Sequence, residues 1–185
     1  MIIGLTGSMG TGKGEIVKLL EKIGASHITL SSMLREEAQN RDLEETRDNL
    51  IAIGNELREH EGVGTLAKRA LQKIQSNLHN LWIVDGIRNP GEVEALREGS
   101  DVYIVGLHTD RELLIERIIN RAREGDMSTK VEIIAKIEQE WGKGQREDGQ
   151  QVGKCMKMVD TIIKNNGDLE TFHKSFLLYF NTISL

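Results

Sequence analysis

The first fourteen residues, MIIGLTGSMGTGKG, constrain this chain more than any other stretch: an apolar strand runs straight into a glycine-rich loop that ends in lysine. Ile2, Ile3 and Leu5 read as a buried parallel strand, and Glu15 to Ile23 as an amphipathic helix with Ile16, Leu19, Leu20 and Ile23 on its apolar side. A strand, a short loop and a helix in that order turn several backbone N–H groups and the positive end of a helix dipole toward one small volume. Glycine leaves the approach to those amides open and tolerates positive φ. Gly7, Gly12 and Lys13 fit the spacing G-x-x-x-x-G-K, which cradles polyphosphate, with the lysine reaching the β and γ phosphates. Glycine-rich turns also occur without ligands, but the lysine and the strand–loop–helix context favour phosphate. Where the pattern expects a magnesium-binding Ser or Thr, the chain has Gly14, followed by Glu15.

At 185 residues the chain is long enough for one domain with a substantial core. A net charge of −5 gives no broad basic footprint, so nucleic acid is not an expected partner and any anionic ligand must be met by locally placed arginines. Cys155 is the single cysteine, which excludes a disulfide framework or zinc cluster and suits a small apolar packing role. Without a long apolar run or a secretory segment, the reading is a soluble cytoplasmic protein with no membrane partner. Strand-like runs fall at 1–6, 27–30, 81–85, 102–107 and 161–164. Helical patterns fall at 13–23, 32–39, a long stretch over 44–77, 91–98, 110–123, 129–140 and 168–180. Alternation of this kind implies a parallel sheet covered on both faces, with ligands beyond the carboxyl ends of its strands. Gly142 to Gly153 has no periodicity and reads as a flexible loop beside the site or a helix connection.

Polar residues that close strands are therefore site candidates. Leu81 to Val84 ends in Asp85, placed to orient magnesium or its waters, or else to cap the turn before Gly86. Arg88 follows, either where a planar guanidinium grips phosphate through parallel hydrogen bonds or as a solvated surface arginine. After the second strand, Ser31 or Ser32 is expected to cap a helix from which Arg35 projects, toward an acceptor phosphate or onto the surface. Arg111, Arg117, Arg121 and Arg123 share one helical segment. Arg117 and Arg121, four apart, either close over a transferring phosphoryl group or pair with Glu112, Glu116 and Glu124 on a wet helix. His27, His60, His79, His108 and His173 lack metal-ligand spacing and read as structural or surface residues. Trp82 reads as core, and Trp141 as core or a hinge.

Taken in order, these segments resemble the P-loop nucleoside monophosphate kinase superfamily. GSMGTGKGE is similar to the adenylate-kinase loop, SSMLR to its acceptor segment, DGIRNP to its strand-end segment and ERIINRAR to the start of its arginine-bearing lid. VDTIIKNNGDLE resembles the last strand and adenine-side loop of dephospho-coenzyme A kinases, and GTGKGE, MLREEA, ELREHEG and DGIRNPGEV together resemble a group of adenylate-kinase-related proteins. The resemblance implies a three-layer α/β P-loop fold with a five-stranded parallel sheet, an acceptor-binding helical insertion over about 31–77 and a small helical lid over about 117–150. It implies ATP and Mg2+, with Gly7, Ser8, Met9, Gly10, Thr11, Gly12, Lys13, Gly14, Glu15, Arg117, Asn166 and Gly167 on the nucleotide. Ser32, Arg35, Asp85 and Arg88 would meet the acceptor, Asp85 and Glu15 the metal, and Lys13, Arg88, Arg117, Arg121 and Arg123 the charge in transfer. Glu15 departs from that family, which has Thr there. No Asp base is evident near Ser31-Ser32, which favours an acceptor phosphate over a hydroxyl. The expected activity is transfer of the ATP γ-phosphoryl group to a small nucleotide, a (deoxy)nucleoside monophosphate. Dephospho-coenzyme A phosphorylation and slow ATP hydrolysis by a regulatory module are the alternatives. The oligomeric state stays open.

Overall fold

The computed structural model describes residues 1–77, 79–121 and 129–184. Along the chain run β1 (Ile2–Thr6), α1 (Lys13–Glu21), β2 (Ser26–Thr29), α2 (Leu30–Asn40), α3 (Arg47–Glu61), α4 (Thr65–Gln75) and β3 (Trp82–Ile87). They are followed by α5 (Pro90–Gly99), β4 (Val102–His108), α6 (Arg111–Arg121), α7 (Lys130–Trp141), α8 (Val152–Cys155), β5 (Thr161–Lys164) and α9 (Leu169–Ile183). The strands form one parallel sheet in the order β2-β3-β1-β4-β5, the five-stranded three-layer fold that the sequence implies.

β1 is buried along its whole length because it is central and covered on both faces. Successive side chains point to opposite faces. Ile3 and Leu5 join Ile16, Leu20, Phe172 and Phe176 on the side of α1 and α9, while Ile2 faces the larger core under α2 to α5. Gly4 lets the flanking strands' side chains close over β1, since a Cβ there would lie 2.5 Å from Ile104 Cδ1 and 2.8 Å from Ile87 Cδ1. Trp82 and Cys155 are in the larger core, as expected. Burial, then the neighbouring Glu92 carboxylate, pushes the Cys155 thiol up to about 12, so it packs as an apolar group.

Three local expectations need correction. The single helical stretch over 44–77 is two helices, α3 and α4, broken at Gly62-Val63-Gly64. Gly64 packs against the start of α5, where a Cβ would meet Gly91 O at 2.7 Å. Helix α1 stops at Glu21, so its buried face is Ile16, Val17 and Leu20, and Ile23 lies past the end, 59% exposed. The N-cap of α2 is Thr29, whose hydroxyl accepts from Ser32 N, with Ser31 and Ser32 already inside the helix. No helix among the described residues is long and apolar enough to cross a membrane.

Candidate active site: a phosphate loop facing an arginine cleft

The ends of β1 and β3 are tied where the Thr6 hydroxyl donates to Ile87 O at 2.9 Å. Beyond Thr6 the backbone turns sharply through Gly7 (φ 140°) and Gly12 (φ 99°), positions that side chains would obstruct. A Cβ on Gly7 would lie 2.4 Å from Leu107 O, and one on Gly12 would lie 2.5 Å from Asn165 Nδ2. The Thr11 hydroxyl donates to Ser8 O at 2.9 Å, and Lys13 Nζ donates to Gly7 O at 2.7 Å and Ser8 O at 3.0 Å. Gly14 differs from its neighbours, because a Cβ there meets nothing within 4 Å. Glu15 lies in the first turn of α1 and pairs with Lys18 at 2.9 Å.

Opposite the loop is a cleft of about 270 Å³, into which Lys13, Ser31, Arg35, Arg58, Asp85 and Arg88 all face. Lys13, expected on the donor side, and Asp85, Arg88 and Arg35, expected on the acceptor side, are thus brought to one space. Burial is the main influence on Lys13, pushing its pKa down; Asp85 opposes this, while Arg88 and Arg121 add to it. Asp85 Oδ1 accepts from Gly86 N at 2.6 Å, so the turn-capping and cleft-facing readings of this aspartate are compatible. Arg35 lies against Ser31 Oγ at 3.1 Å and Glu45 at 3.5 Å, and is half exposed. Ser32 turns away, its hydroxyl donating to Thr29 O at 2.6 Å; Ser31 takes the place on the cleft wall.

Arg88 is held by its backbone as well as its side chain. The N-P-G-E run from Asn89 folds into a capping box at the start of α5, with Asn89 as N-cap and Glu92 reaching back. Glu92 accepts from Arg88 N at 2.8 Å and Asn89 N at 3.1 Å, and pairs with the buried Arg58 at 3.0 Å. The segment expected to be a flexible loop is fastened here: Gln151 N donates to Arg88 O at 2.6 Å, and Asn89 Nδ2 donates to Glu147 O and Gly149 O at 2.8 Å each.

Two arginines of helix α6 bind groups that neither reading named. Arg111 pairs with Glu138 at 3.0 Å on the surface. Arg117 instead donates to Asn165 O at 2.8 Å and Gly167 O at 3.2 Å, joining α6 to the loop after β5. In that loop Asn166 Oδ1 accepts from Asp110 N at 2.9 Å. Arg121 is near enough to Lys13 to depress its pKa. Arg123 and Glu124 lie outside the described residues. Trp141 ends α7 at the surface, 45% exposed, and is not core.

Two site residues were missed: Asn165, inside the VDTIIKNNGDLE segment, and Glu140, which no motif announces. Asn165 Nδ2 donates to Thr11 O at 3.0 Å, bolting the loop after β5 to the phosphate loop. Glu140, near the end of α7 and only 1% exposed, accepts from Met9 N at 3.0 Å and from Arg88 Nη1 at 2.7 Å. Burial tends to raise its pKa, but Arg88, the Met9 amide and Lys13 outweigh it and hold Glu140 below the usual glutamate range. Burial likewise opposes the charge of Arg88, and Glu140 with Asp85 and Glu92 carries the net direction upward. The only sequence signal was the apolar period of α7, which puts Glu140 on the inward side with Ile133 and Ile137.

For magnesium, the loop offers no hydroxyl at position 14 and Glu15 is engaged by Lys18, which leaves Asp85 as the cleft carboxylate. Among the described residues no group of three or more His, Cys, Asp or Glu is gathered as a metal site. One carboxylate fits an ion that keeps most of its waters and takes the rest of its ligands from phosphate.

Residues 6–135 match a protein-family model described as an AAA domain. A UPF0200/UPF0201 protein of Archaeoglobus fulgidus is 32% identical over 175 residues, which are 92% of this chain and 52% of that protein, so the chain spans about half of that relative's length. A UPF0200 protein of Methanosarcina mazei is 30% identical over 177 residues, 94% of this chain and 90% of the relative. A shikimate kinase from Bacteroides thetaiotaomicron superposes with a TM-score of 0.62 at 18% identity, covering 100% of this chain and 99% of that one. A gluconokinase from Sinorhizobium meliloti gives 0.54 at 16%, covering 97% and 96%. At such identities the structural likeness speaks for the fold alone.

Proposed function

The chain belongs to the UPF0200 family and carries an AAA-type P-loop domain with the fold of small-molecule kinases, and from that premise we propose that it is an ATP- and magnesium-dependent kinase whose acceptor is a nucleotide, a (deoxy)nucleoside monophosphate. The observation that carries this reading is the meeting of Lys13, Asp85, Arg88 and Arg35 around one cleft. The loop amides and Lys13 hold the donor phosphates, with Arg117, Asn166 and Gly167 on the side of the base. Arg35 and Arg88 position the acceptor phosphate, and Arg121 adds positive charge near the point of transfer. Asp85 would hold hydrated magnesium, and Glu15, paired with Lys18, is the second expected ligand. Magnesium, when bound, would supply neutralisation of phosphate charge. The remaining work is alignment and electrostatics, and an acceptor already anionic near neutral pH needs no strong base. In this reading residues 31–77 bind the acceptor and 117–150 form the lid.

A hydroxyl acceptor, as in dephospho-coenzyme A, is the second reading. It is favoured by the carboxylate partner that each cleft arginine has: Glu45 for Arg35, Glu92 for Arg58 and Glu140 for Arg88. An ADP-release screen with ATP and magnesium over the (deoxy)nucleoside monophosphates and dephospho-coenzyme A decides between them. The first reading expects turnover with one or more monophosphates, abolished by Lys13→Ala. Turnover that survives Lys13→Ala would remove the donor-site assignment. ATP binding with no acceptor-stimulated ADP release would leave the slow hydrolysing module.

A further inference from the structure

Glu140 is a nearly fully buried carboxylate whose two oxygens are shared between the two halves of the site. One accepts from Met9 N in the phosphate loop, and the other from Arg88 Nη1 in the opposite wall. These partners leave the sheet from different strands, β1 and β3, and a phosphoryl group in transit has to touch both walls. A carboxylate beside a polyphosphate loop is also costly, since it repels the ligand, and a buried charge is retained only where partners satisfy it. Packing alone does not require it: α7 is already seated through Ile133, Ile137 and the Met9 side chain.

We infer that Glu140 is a built-in stand-in for the transferred phosphoryl group, filling the anion locus between the Met9 amide and the Arg88 guanidinium until that group displaces it. The inference rests on the kinase reading above and adds a discriminating role. While Glu140 holds the locus, Arg88 is kept aimed at the loop and its charge is balanced. A nucleotide with a γ-phosphoryl group competes for both partners, whereas ADP, lacking that group, leaves the carboxylate in place and is held less tightly.

The test is calorimetric binding, with magnesium, of ADP and of the imido analogue of ATP, which cannot be hydrolysed at the β–γ bridge. In Glu140→Gln the repelling charge is gone and Arg88 loses its paired carboxylate, so affinity for the analogue rises about tenfold while that for ADP stays within about threefold. A purely structural glutamate predicts the opposite sign, with weaker binding of both. In an Arg88→Ala background the selective gain should shrink to less than about threefold. A second readout needs no change at Glu140. Trp141 adjoins it, and in a Trp82→Phe protein its emission should shift with the analogue and not with ADP. Equal tightening of both nucleotides, weakening of both, or an emission that answers alike to both would overturn the inference. Analogue binding that Lys13→Ala abolishes, but that lacks this discrimination, sinks the inference and leaves the kinase reading standing. Absence of nucleotide binding altogether removes both.

Discussion

Glu140 gives the site a titration with a definite sign. Its folded-state pKa is held below the ordinary value of 4.5, chiefly by Arg88 against the opposing effect of burial. Proton linkage then makes its contribution to stability fully present above that value and lost as pH falls through the depressed one. Urea midpoints measured from pH 7 down to pH 3 should therefore fall less steeply in Glu140→Gln than in the parent, with the two curves converging at the acid end. Parallel curves would show that the pair is not linked to folding. Gly14 supports a second expectation. A Cβ there meets nothing within 4 Å and its φ is not positive, so Gly14→Ser should fold normally and gain up to about 0.5 kcal/mol from helix propensity. The new hydroxyl also restores the usual magnesium-loop ligand, so half-saturation of nucleotide binding should need less magnesium. A loss above about 1 kcal/mol in urea would show that the space is not open. Gly7 to Lys13 could be read from the chain because their chemistry is local, a turn and a cation within a few residues. Glu140 and Asn165 could not, since their partners lie 131 and 154 positions away.

The capping box at the start of α5 does more than begin a helix. Through Glu92 it fixes the backbone of Arg88 from within the protein, and Glu92 is in turn matched by Arg58 from α3. Both side chains of that pair are buried, so removing one strands the other. Arg58→Ala should cost about 3–5 kcal/mol in urea unfolding and raise the acceptor KM through Arg88. A cost below about 1 kcal/mol would mean that Glu92 is satisfied by the two backbone amides alone. The run N-P-G-E carries the cap in four consecutive residues and is readable as such. The end of α3 is not, because Gly62-Val63-Gly64 sits within an unbroken apolar period over 44–77. The break is decided by how closely Gly64 approaches α5.

The five strands of the sheet β2-β3-β1-β4-β5 correspond to five apolar runs, each separated by helical sequence, and strand type was the easiest feature to recover. Which strands are neighbours, and so which polar ends share a cleft, is a property of the folded sheet that periodicity does not encode. A ligand that binds the assembled site stabilises the whole domain by mass action, by about 2.7 kcal/mol at a hundredfold excess over Kd. Magnesium–ATP should therefore raise the thermal midpoint by a few degrees. Lys13→Ala should remove that shift while leaving the unliganded midpoint within a few degrees of the parent. A shift that persists in the variant would place nucleotide elsewhere.

The bolt from Asn165 to Thr11 has a further consequence for how the chain is made. The phosphate loop is made before β3 and β4, which flank β1, and before the side chain 154 residues downstream that ties it. A nascent chain stalled before β5 carries the whole nucleotide-binding signature and lacks one of the ties that hold it in shape. On the kinase reading proposed above, competence to grip nucleotide is then complete only once the loop after β5 has been made.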